Sequence, residues 1–224
     1  MTKRYHLVKN LSIVDEMFNW DSTFWVDTEV AHVDNFHHRS SAHRPLTEVK
    51  LQFNDDAIFV LFKVVDKFVL AINDEYNSKV NHDSCVEWFV RPPLAEGYYN
   101  FELNAIGTLH VNYIVDPERD EKGKRKDIRL IPEEHAKKIV IHSTFNNKII
   151  NEIQERTTWF LGLKIPFEFF ELHSPIKKVN GSIWQGNLYK CGDKTSHPHW
   201  AAWSPVIELN FHQPKHFGEF IFNA

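Results

Sequence analysis

Hydrophobic and polar positions alternate along much of the chain with the period of two that is typical of β-strands. In TEVKLQFN (47–54), every second residue from Val49 is apolar. The next segment, AIFVLFKVVD (57–66), is almost continuously apolar, which predicts a central strand that is buried on both faces. Farther along, GYYNFELNAIGTLHVNYIVD (97–116) predicts a hairpin with Gly107 in its turn.

The remaining patterns predict an all-β fold. Further strands are expected in SCVEWFVRP (84–92), KKIVIHSTF (137–145), RTTWFLGLKIPF (156–167), SIWQGNLYKC (182–191) and FGEFIF (217–222). Helices are expected to be short at most, with one or two turns over PFEFFEL (166–172). Many short strands without strand–helix alternation predict a two-sheet antiparallel β-sandwich of the jelly-roll type. The length of 224 residues suits one domain over residues 1–224.

Two segments depart from this alternation, and both are expected to be solvated loops. DPERDEKGKRKDIRLIPEEHAKK (116–138) is highly charged with both signs, which is typical of a long loop between strands. HVDNFHHRSSAHRPL (32–46) contains four histidines, but their spacing matches no metal-binding motif.

Composition excludes several classes of partner. The formal net charge of −4 gives no basic surface for nucleic acid. No segment approaches the roughly 20 apolar residues of a membrane span. The basic residues at the start precede no apolar run, so we expect a cytoplasmic protein, or a periplasmic or secreted one if a signal has been removed. The only two cysteines, Cys85 and Cys191, make no disulfide framework and are expected to be buried and unpaired.

A polar face runs along three of the predicted strands. Alternation places Phe101 and Leu103 on one face of their strand and amide and carboxylate side chains on the other. The residues that we assign to this polar face are Glu87, Asn100, Glu102, Asn104, Gln185 and Asn187. One interpretation is a wet outer face of the sheet. The other is a shallow platform for a sugar, because such side chains pair with hydroxyl groups and a nearby aromatic ring covers a sugar's C–H face.

Aromatic rings for such a platform are concentrated in HPHWAAWSPV (197–206). The three-residue spacing of Trp200 and Trp203 puts the two rings on opposite faces of an extended segment. We therefore expect one of the two tryptophans inside the fold and the other outside.

Several ordered blocks resemble the family 9 carbohydrate-binding modules. They are NHDSCVEWFVRP, GYYNFELNAIGTLHVNY, TTWFLGLKIPF, WQGNLYKCGD and HWAAWSPVIELNFHQPKHFGEFIF, which together cover most of residues 47–222. The closing pattern W-S-P, F-H-x-P and F-G-x-x-x-F is the most specific part. The resemblance implies a β-sandwich that binds the end of a glycan, and modules of this family occur on xylan-degrading enzymes.

The resemblance also implies roles for individual residues. In sugar-binding members, two aromatic rings clamp one sugar ring and polar strand residues hold its hydroxyls. Glu87 matches a sugar-binding glutamate, and Gln185 matches a binding glutamine that precedes Asn187. Asn104 falls in the strand that carries the family's binding arginine, whose own position is taken by Glu102.

This chain differs from the family's pattern at one of the two aromatic positions of the clamp. One clamp tryptophan belongs just before HDSCVE, where this chain has Val80 and Asn81. The other clamp residue aligns near Phe211, with Trp203 supporting it. The candidate carbohydrate-binding residues are therefore Asn81, Glu87, Glu102, Asn104, Gln185, Asn187, Trp203 and Phe211. Because one ring is replaced, we expect weak binding of a sugar.

Cofactor chemistry enters only through the same resemblance. No cofactor is expected to be required, but members of the family carry structural calcium, for which Asp66, Asp74 and Asp83 are the candidate ligands.

Three functions remain open from the sequence. The first is non-catalytic binding of a glycan end of the xylan or cellulose type, linked to carbohydrate catabolism and to a glycoside hydrolase, with no catalytic residue of its own. The second is a glycosidase that uses Glu87 and Glu102 as its carboxylate pair. The third is a sandwich that has lost its ligand and serves as an interaction domain. The oligomeric state stays open.

Overall fold

Two β-sheets pack face to face in the computed structural model, which describes residues 2–10 and 16–223. The strands are β1 (Arg4–Lys9), β2 (Ala31–His32), β3 (Asn35–Phe36), β4 (Leu46–Phe53), β5 (Ala57–Asp66), β6 (Val69–Ala71), β7 (Cys85–Arg91), β8 (Tyr98–Asn104), β9 (Leu109–Arg119), β10 (Arg125–Leu130), β11 (Val140–Ser143), β12 (Ile149–Ile153), β13 (Thr157–Pro166), β14 (Ile183–Cys191), β15 (Trp200–Ala202) and β16 (Gly218–Phe222). The helices are α1 (Glu133–Ala136) and α2 (Phe167–Phe170), with 3-10 turns at Thr23–Trp25, Val80–His82 and Pro214–His216.

The strand order makes β1 the link between the sheets. One sheet runs β10-β9-β8-β7-β14-β16-β1, and the other runs β1-β4-β5-β13-β11. β1 pairs parallel with β16 and then with β4, whereas the other pairings are antiparallel. The all-β sandwich expected from the sequence is therefore confirmed, with one parallel strand in it.

The core lies between the two sheets and is rich in aromatic rings. Trp88 of β7, Trp159 of β13 and Trp184 of β14 are fully buried in it. On β8, Phe101 and Leu103 point into the same core, as the alternation predicts. The opposite face of β7, β8, β9 and β14 therefore points away from the core, and it carries the polar side chains considered below.

The short elements follow their local sequence. Gly107 has φ +82° in the turn between β8 and β9, a conformation that glycine adopts without strain. The helical turn expected over 166–172 is α2, and Pro166 precedes its first residue. Within the described ranges, no helix has both the length and the apolar character that crossing a membrane would require.

The charged segment 116–138 is not the long loop expected from its composition. β9 continues to Arg119, turns at Gly123 (φ +76°) and returns as β10, after which α1 follows. β10 is an edge strand that needs a ladder on one side only, and charged side chains are how exposed edges avoid further pairing. The high charge of this segment therefore indicates an edge strand that is protected against further pairing, and not a loop.

The histidine-rich segment 32–46 is also less solvated than expected. His37 is buried, and Nε2 of His43 lies 2.7 Å from Oδ1 of the buried Asp66. The second interaction ties the segment to the end of β5, a long-range contact that local spacing could not indicate.

Candidate functional site

A cavity of about 460 Å³ lies on the outer face of the sheet above β9, β8, β7 and β14. Strand register builds its floor. Glu87 lies opposite Glu102 on one side and Tyr189 on the other, and Glu102 lies opposite His110. Because Val86 and Trp88 face the core, the intervening Glu87 faces the cavity.

Glu87 is held in its neutral form at the bottom of this floor. Its side chain is almost fully enclosed, and Oε1 accepts a hydrogen bond from Sγ of Cys191 at 3.2 Å. Burial raises the pKa of Glu87 well above its usual range, and the neighbouring Cys191 and Glu102 raise it further. A protonated carboxyl can both donate and accept a hydrogen bond, which matches the dual character of a sugar hydroxyl.

A hydrogen-bonded amide network continues the floor toward β9. Nδ2 of Asn100 donates to Oε1 of Glu102 at 2.8 Å, and Oδ1 of Asn100 accepts the backbone N–H of Asn112 at 2.9 Å. Nδ2 of Asn112 lies 3.0 Å from Nε2 of His110. Oδ1 of Asn112 has no hydrogen-bond partner among the described residues, which leaves an acceptor in the cavity lining.

One wall of the cavity carries Trp200, which is half-buried. Its indole Nε1 donates to Oδ1 of Asp193 at 2.7 Å, and Nδ2 of Asn81 donates to the other oxygen of that carboxylate at 2.8 Å. Asp193 therefore fixes both the orientation of the ring and the position of the neighbouring amide.

The opposite wall comes from the segment before β16. Phe211 is half-buried and stacks on Tyr189, with ring centroids 4.1 Å apart and planes 12° apart. His212 next to it is enclosed, and burial lowers its pKa well below the usual range, so that its ring is neutral. The cavity thus combines a polar floor with aromatic surfaces on two sides.

Four of the eight residues predicted for the site line this cavity: Asn81, Glu87, Glu102 and Phe211. Gln185 does not join them, although it lies on the same face of the sheet. It lies opposite Arg91 in a separate depression, four residues along β7 from Glu87, or about 13 Å at the rise of a strand. Alternation assigned the correct face but not the position along the strand, so the expectation of one patch that includes Gln185 is wrong.

Asn104 and Asn187 are inside the fold and outside the cavity lining. Nδ2 of Asn104 donates to Oδ2 of Asp83 at 2.7 Å. Asn187 binds the backbone of Ser204 twice, through Nδ2 at 2.8 Å and through Oδ1 at 2.8 Å. Both amides are used to anchor loops, which explains their burial in the polar face.

Trp203 is a core residue and does not line the cavity. It is 2% exposed and packs on Phe220, with ring centroids 5.2 Å apart. Trp200 lines the cavity instead, so the expectation of one tryptophan inside and one outside is confirmed.

The candidate calcium ligands do not converge on a common site. Oδ2 of Asp66 lies 3.3 Å from Nζ of the buried Lys190, so an ammonium group already occupies that side of the carboxylate. Asp83 accepts hydrogen bonds from the amides of Asn73 and Asn104. Asp74 pairs at the surface with Lys148 at 2.8 Å. These residues do not fit a shared calcium site.

One group in the described part of the chain has the residue types of a metal centre. Ligand atoms of Cys85, Glu87 and Cys191 all lie within 4.8 Å of one another. Both cysteines are free and buried, and burial raises the pKa of Cys85 to about 12. Three ligands are one short of a closed tetrahedral zinc site, and two of them, Glu87 and Cys191, line the cavity floor.

Sequence reasoning missed several cavity residues that come from the β9–β10 hairpin, among them Arg119, Arg125 and Ile128. They lie in the segment assigned to a solvated loop, and no local pattern shows that this hairpin folds back over the polar face. Trp200 was singled out only as the freer of two tryptophans.

Comparison with known proteins gives a consistent result. The family model for carbohydrate-binding family 9 matches residues 24–222. No curated protein matches the chain.

Among solved structures, a candidate carbohydrate-binding protein from Bacteroides uniformis ATCC 8492 has a TM-score of 0.86 at 26% identity and covers 99% of this chain and 100% of its own. A family 9 carbohydrate-binding module from Caldicellulosiruptor kristjanssonii in complex with cellotriose has a TM-score of 0.63 at 14% identity, with 99% of this chain and 94% of that chain covered. The same description with glucose bound gives 0.65 at 13% identity, with 99% and 96% covered. Because the family model spans most of the sequence and the two-sheet fold agrees with it, this chain belongs to carbohydrate-binding family 9.

Proposed function

We propose that this chain is a non-catalytic module that binds the end of a glycan in the cavity above β7, β8, β9 and β14. The observation that carries the proposal is the half-buried ring of Trp200 beside the polar floor around Glu87. A flat apolar surface next to paired donors and acceptors is what a pyranose needs. The volume of about 460 Å³ lies within the range of roughly 300–1,000 Å³ for small-molecule sites.

The aromatic walls and the polar floor of the cavity would contact different parts of the sugar. Trp200 and Phe211 offer surfaces for the C–H faces of a sugar, while Glu87, Asn100 and Asn112 offer hydrogen-bonding groups to its hydroxyls. Family 9 modules solved with cellotriose and glucose support a cellulose type of glycan end as the ligand, and the family resemblance adds a xylan type as the alternative. We place the protein in carbohydrate catabolism, in association with a glycoside hydrolase.

The proposed binding is weak. Asn81 stands where the family resemblance places a clamp tryptophan, and the absence of that ring removes about 100 Å² of apolar contact, or roughly 2.5 kcal/mol, in addition to what Trp200 and Phe211 supply. That loss corresponds to nearly two orders of magnitude in affinity, so a dissociation constant of order 1 mM is expected for a monosaccharide.

Calorimetric titration with glucose, xylose, cellobiose and xylobiose tests the proposal. We expect measurable binding by the unmodified protein and at least tenfold weaker binding by Trp200→Ala, because the stacking surface is removed. Trp200→Phe keeps a ring without the indole N–H and should retain much of the affinity. Binding that is equal in all three proteins, or absent from all of them, would contradict the proposal.

The glycosidase alternative has one observation in its favour. Glu87 and Glu102 are directly opposed on adjacent strands, where Cβ atoms are about 4.5–5.5 Å apart, close to the spacing of a retaining pair. However, the two carboxyls lie side by side in the floor of the cavity. Glu87 is also buried, and one of its oxygens already accepts a hydrogen bond from Sγ of Cys191. The family is one of non-catalytic binding modules. We expect no hydrolysis of 4-nitrophenyl glycosides above background. Hydrolysis by the unmodified protein that is abolished in Glu102→Gln would support the glycosidase alternative instead.

A further inference from the structure

The two arginines of the β9–β10 hairpin that border the cavity lack an acidic partner. Two other cations of β10 are paired: Lys126 binds Glu118, and Arg129 lies 2.8 Å from Glu96. Within the described residues, no ion pair or hydrogen bond satisfies the guanidinium of Arg125, and Arg119 donates only to the backbone oxygen of Gly123. Arg119 and Arg125 therefore bring positive charge without an ion-pair partner to the cavity lining.

Arg125 is also partly removed from water. It is half-buried, and burial lowers its pKa, with Arg119 lowering it further, although Tyr98 and the more distant Glu102 and Glu87 offset part of this effect. A partly desolvated cation beside a second cation is unfavourable unless an anion compensates it. This arrangement indicates a missing negative group rather than a surface charge that water satisfies.

The carboxyl groups of the cavity are already engaged elsewhere. Burial raises the pKa of Glu87 well above its usual range, which favours its neutral form. The oxygens of Asp193 accept from Trp200 and Asn81, and Oε1 of Glu102 accepts from Asn100. None of the three carboxyls lies within ion-pair distance of Arg125.

We propose that the cavity prefers a sugar that carries an anionic substituent, a uronic acid carboxylate or a sulfate ester, which Arg125 and Arg119 would bind above the polar floor. The planar fork of a guanidinium matches two oxygens of such a group, so that it fixes orientation as well as charge. The inference rests on the proposed function and narrows it to a class of glycan end. In this proposal the arginines of the hairpin attract the anionic group, because the floor, which contains Glu102, carries no positive charge.

Calorimetry at low ionic strength with glucose, glucuronic acid, glucuronamide and glucose 6-sulfate tests this inference. We expect an anionic sugar to bind about ten- to one-hundredfold more tightly than glucose, the range of one charge-assisted contact. Glucuronamide keeps the shape without the charge and should bind like glucose. The preference should shrink in 0.5 M NaCl, because salt screens a partly exposed ion pair. Comparing glucuronic acid with glucose 6-sulfate separates the two sources of the anion.

The variants Arg125→Gln and Arg129→Gln make a matched pair on the same strand. Arg125→Gln should reduce the ratio of acidic to neutral affinity toward one, whereas Arg129→Gln, which loses only a surface pair with Glu96, should leave the ratio unchanged. If glucose binds as tightly as both anionic sugars, the inference is wrong and the proposed function stands. If no sugar binds, both are wrong.

Discussion

At the scale of single residues, Asn81 decides how strongly the cavity can hold a sugar ring. Its side chain lines the cavity beside Trp200, and both donate to Asp193. Placing an indole there adds a further stacking surface of about 100 Å² beside Trp200, at the loss of one hydrogen bond.

We therefore expect Asn81→Trp to tighten binding of glucose or cellobiose by about ten- to one-hundredfold. His82→Trp is the matched control, because His82 lies in the same 3-10 turn but does not line the cavity. Calorimetric titration of both variants measures the effect. Equal affinity in the two variants would show that this position does not face the ligand.

Glu87 makes the stability of the fold depend on pH. Its folded pKa is raised above the unfolded value, so the folded state retains a proton that the unfolded state releases. The stability contributed by this group is fully present below about pH 4.5 and is lost as the pH rises above that value.

The Glu87→Gln variant has a side chain of nearly the same shape that is neutral at every pH, so it has no proton to release on unfolding. We expect the variant to be more stable than the parent protein at pH 8, by about 2–4 °C in Tm for each kcal/mol gained, and equal to it at pH 4. Differential scanning calorimetry at the two pH values measures this, with Glu121→Gln on the exposed hairpin as control. A variant that is less stable at pH 8 would mean that Glu87 is ionised in the fold.

At the scale of secondary-structure elements, alternation predicted faces well and positions poorly. The core and outer faces of β7, β8 and β14 follow directly from the period of two, which is how Glu87 and Glu102 were found. The distance of Gln185 from them depends on strand register, and register is set by pairing across the sheet. The hairpin that carries Arg125 was not predicted, because an edge strand needs no apolar face. Nothing in the sequence of 116–138 indicates where this hairpin packs.

The close packing of β14 gives a test at this scale. A Cβ atom at Gly186 would lie 2.3 Å from the backbone oxygen of Phe89 on β7 and 2.9 Å from the ring of Phe220 on β16. We expect Gly186→Ala to lower the free energy of unfolding by about 1–3 kcal/mol, because neither neighbour can move without disturbing its strand. Urea unfolding measures it. An unchanged midpoint would show that β14 has more room than this register allows.

At the scale of the whole molecule, the two sheets are joined at one end by a buried charge cluster. Nζ of Lys190 on β14 lies 3.3 Å from Asp66 at the end of β5 and 2.8 Å from Nε2 of His199. Although burial alone would raise it, Lys190 and His43 hold the pKa of Asp66 at about 2. Burial, together with Lys190, lowers the pKa of His199 to about 3.

Both shifts make the fold sensitive to acid. Each folded pKa is below its unfolded value, so the unfolded state takes up protons first and stability falls as the pH falls. For His199 the fall begins near pH 6.5 and continues toward pH 3, while for Asp66 it lies between about pH 4 and pH 2.

His199→Gln should flatten the decrease in Tm between pH 6.5 and pH 4 relative to the parent protein, because the variant has no imidazole to protonate. The variant is expected to be less stable at pH 7, so the slope and not the absolute Tm carries the prediction. Melting curves at half-unit pH intervals measure it. Parallel curves for the two proteins would contradict a neutral, buried His199.

Binding of a sugar in the cavity beside Trp200 can be observed residue by residue in an NMR titration. We would record ¹H–¹⁵N correlation spectra while adding cellobiose to tens of millimolar. We expect progressive shifts of the Trp200 indole N–H and of the side-chain amides of Asn81 and Asn100, with little change at Gln185 or at the buried indole of Trp203. Spectra that stay unchanged throughout, or shifts centred on Gln185, would contradict it.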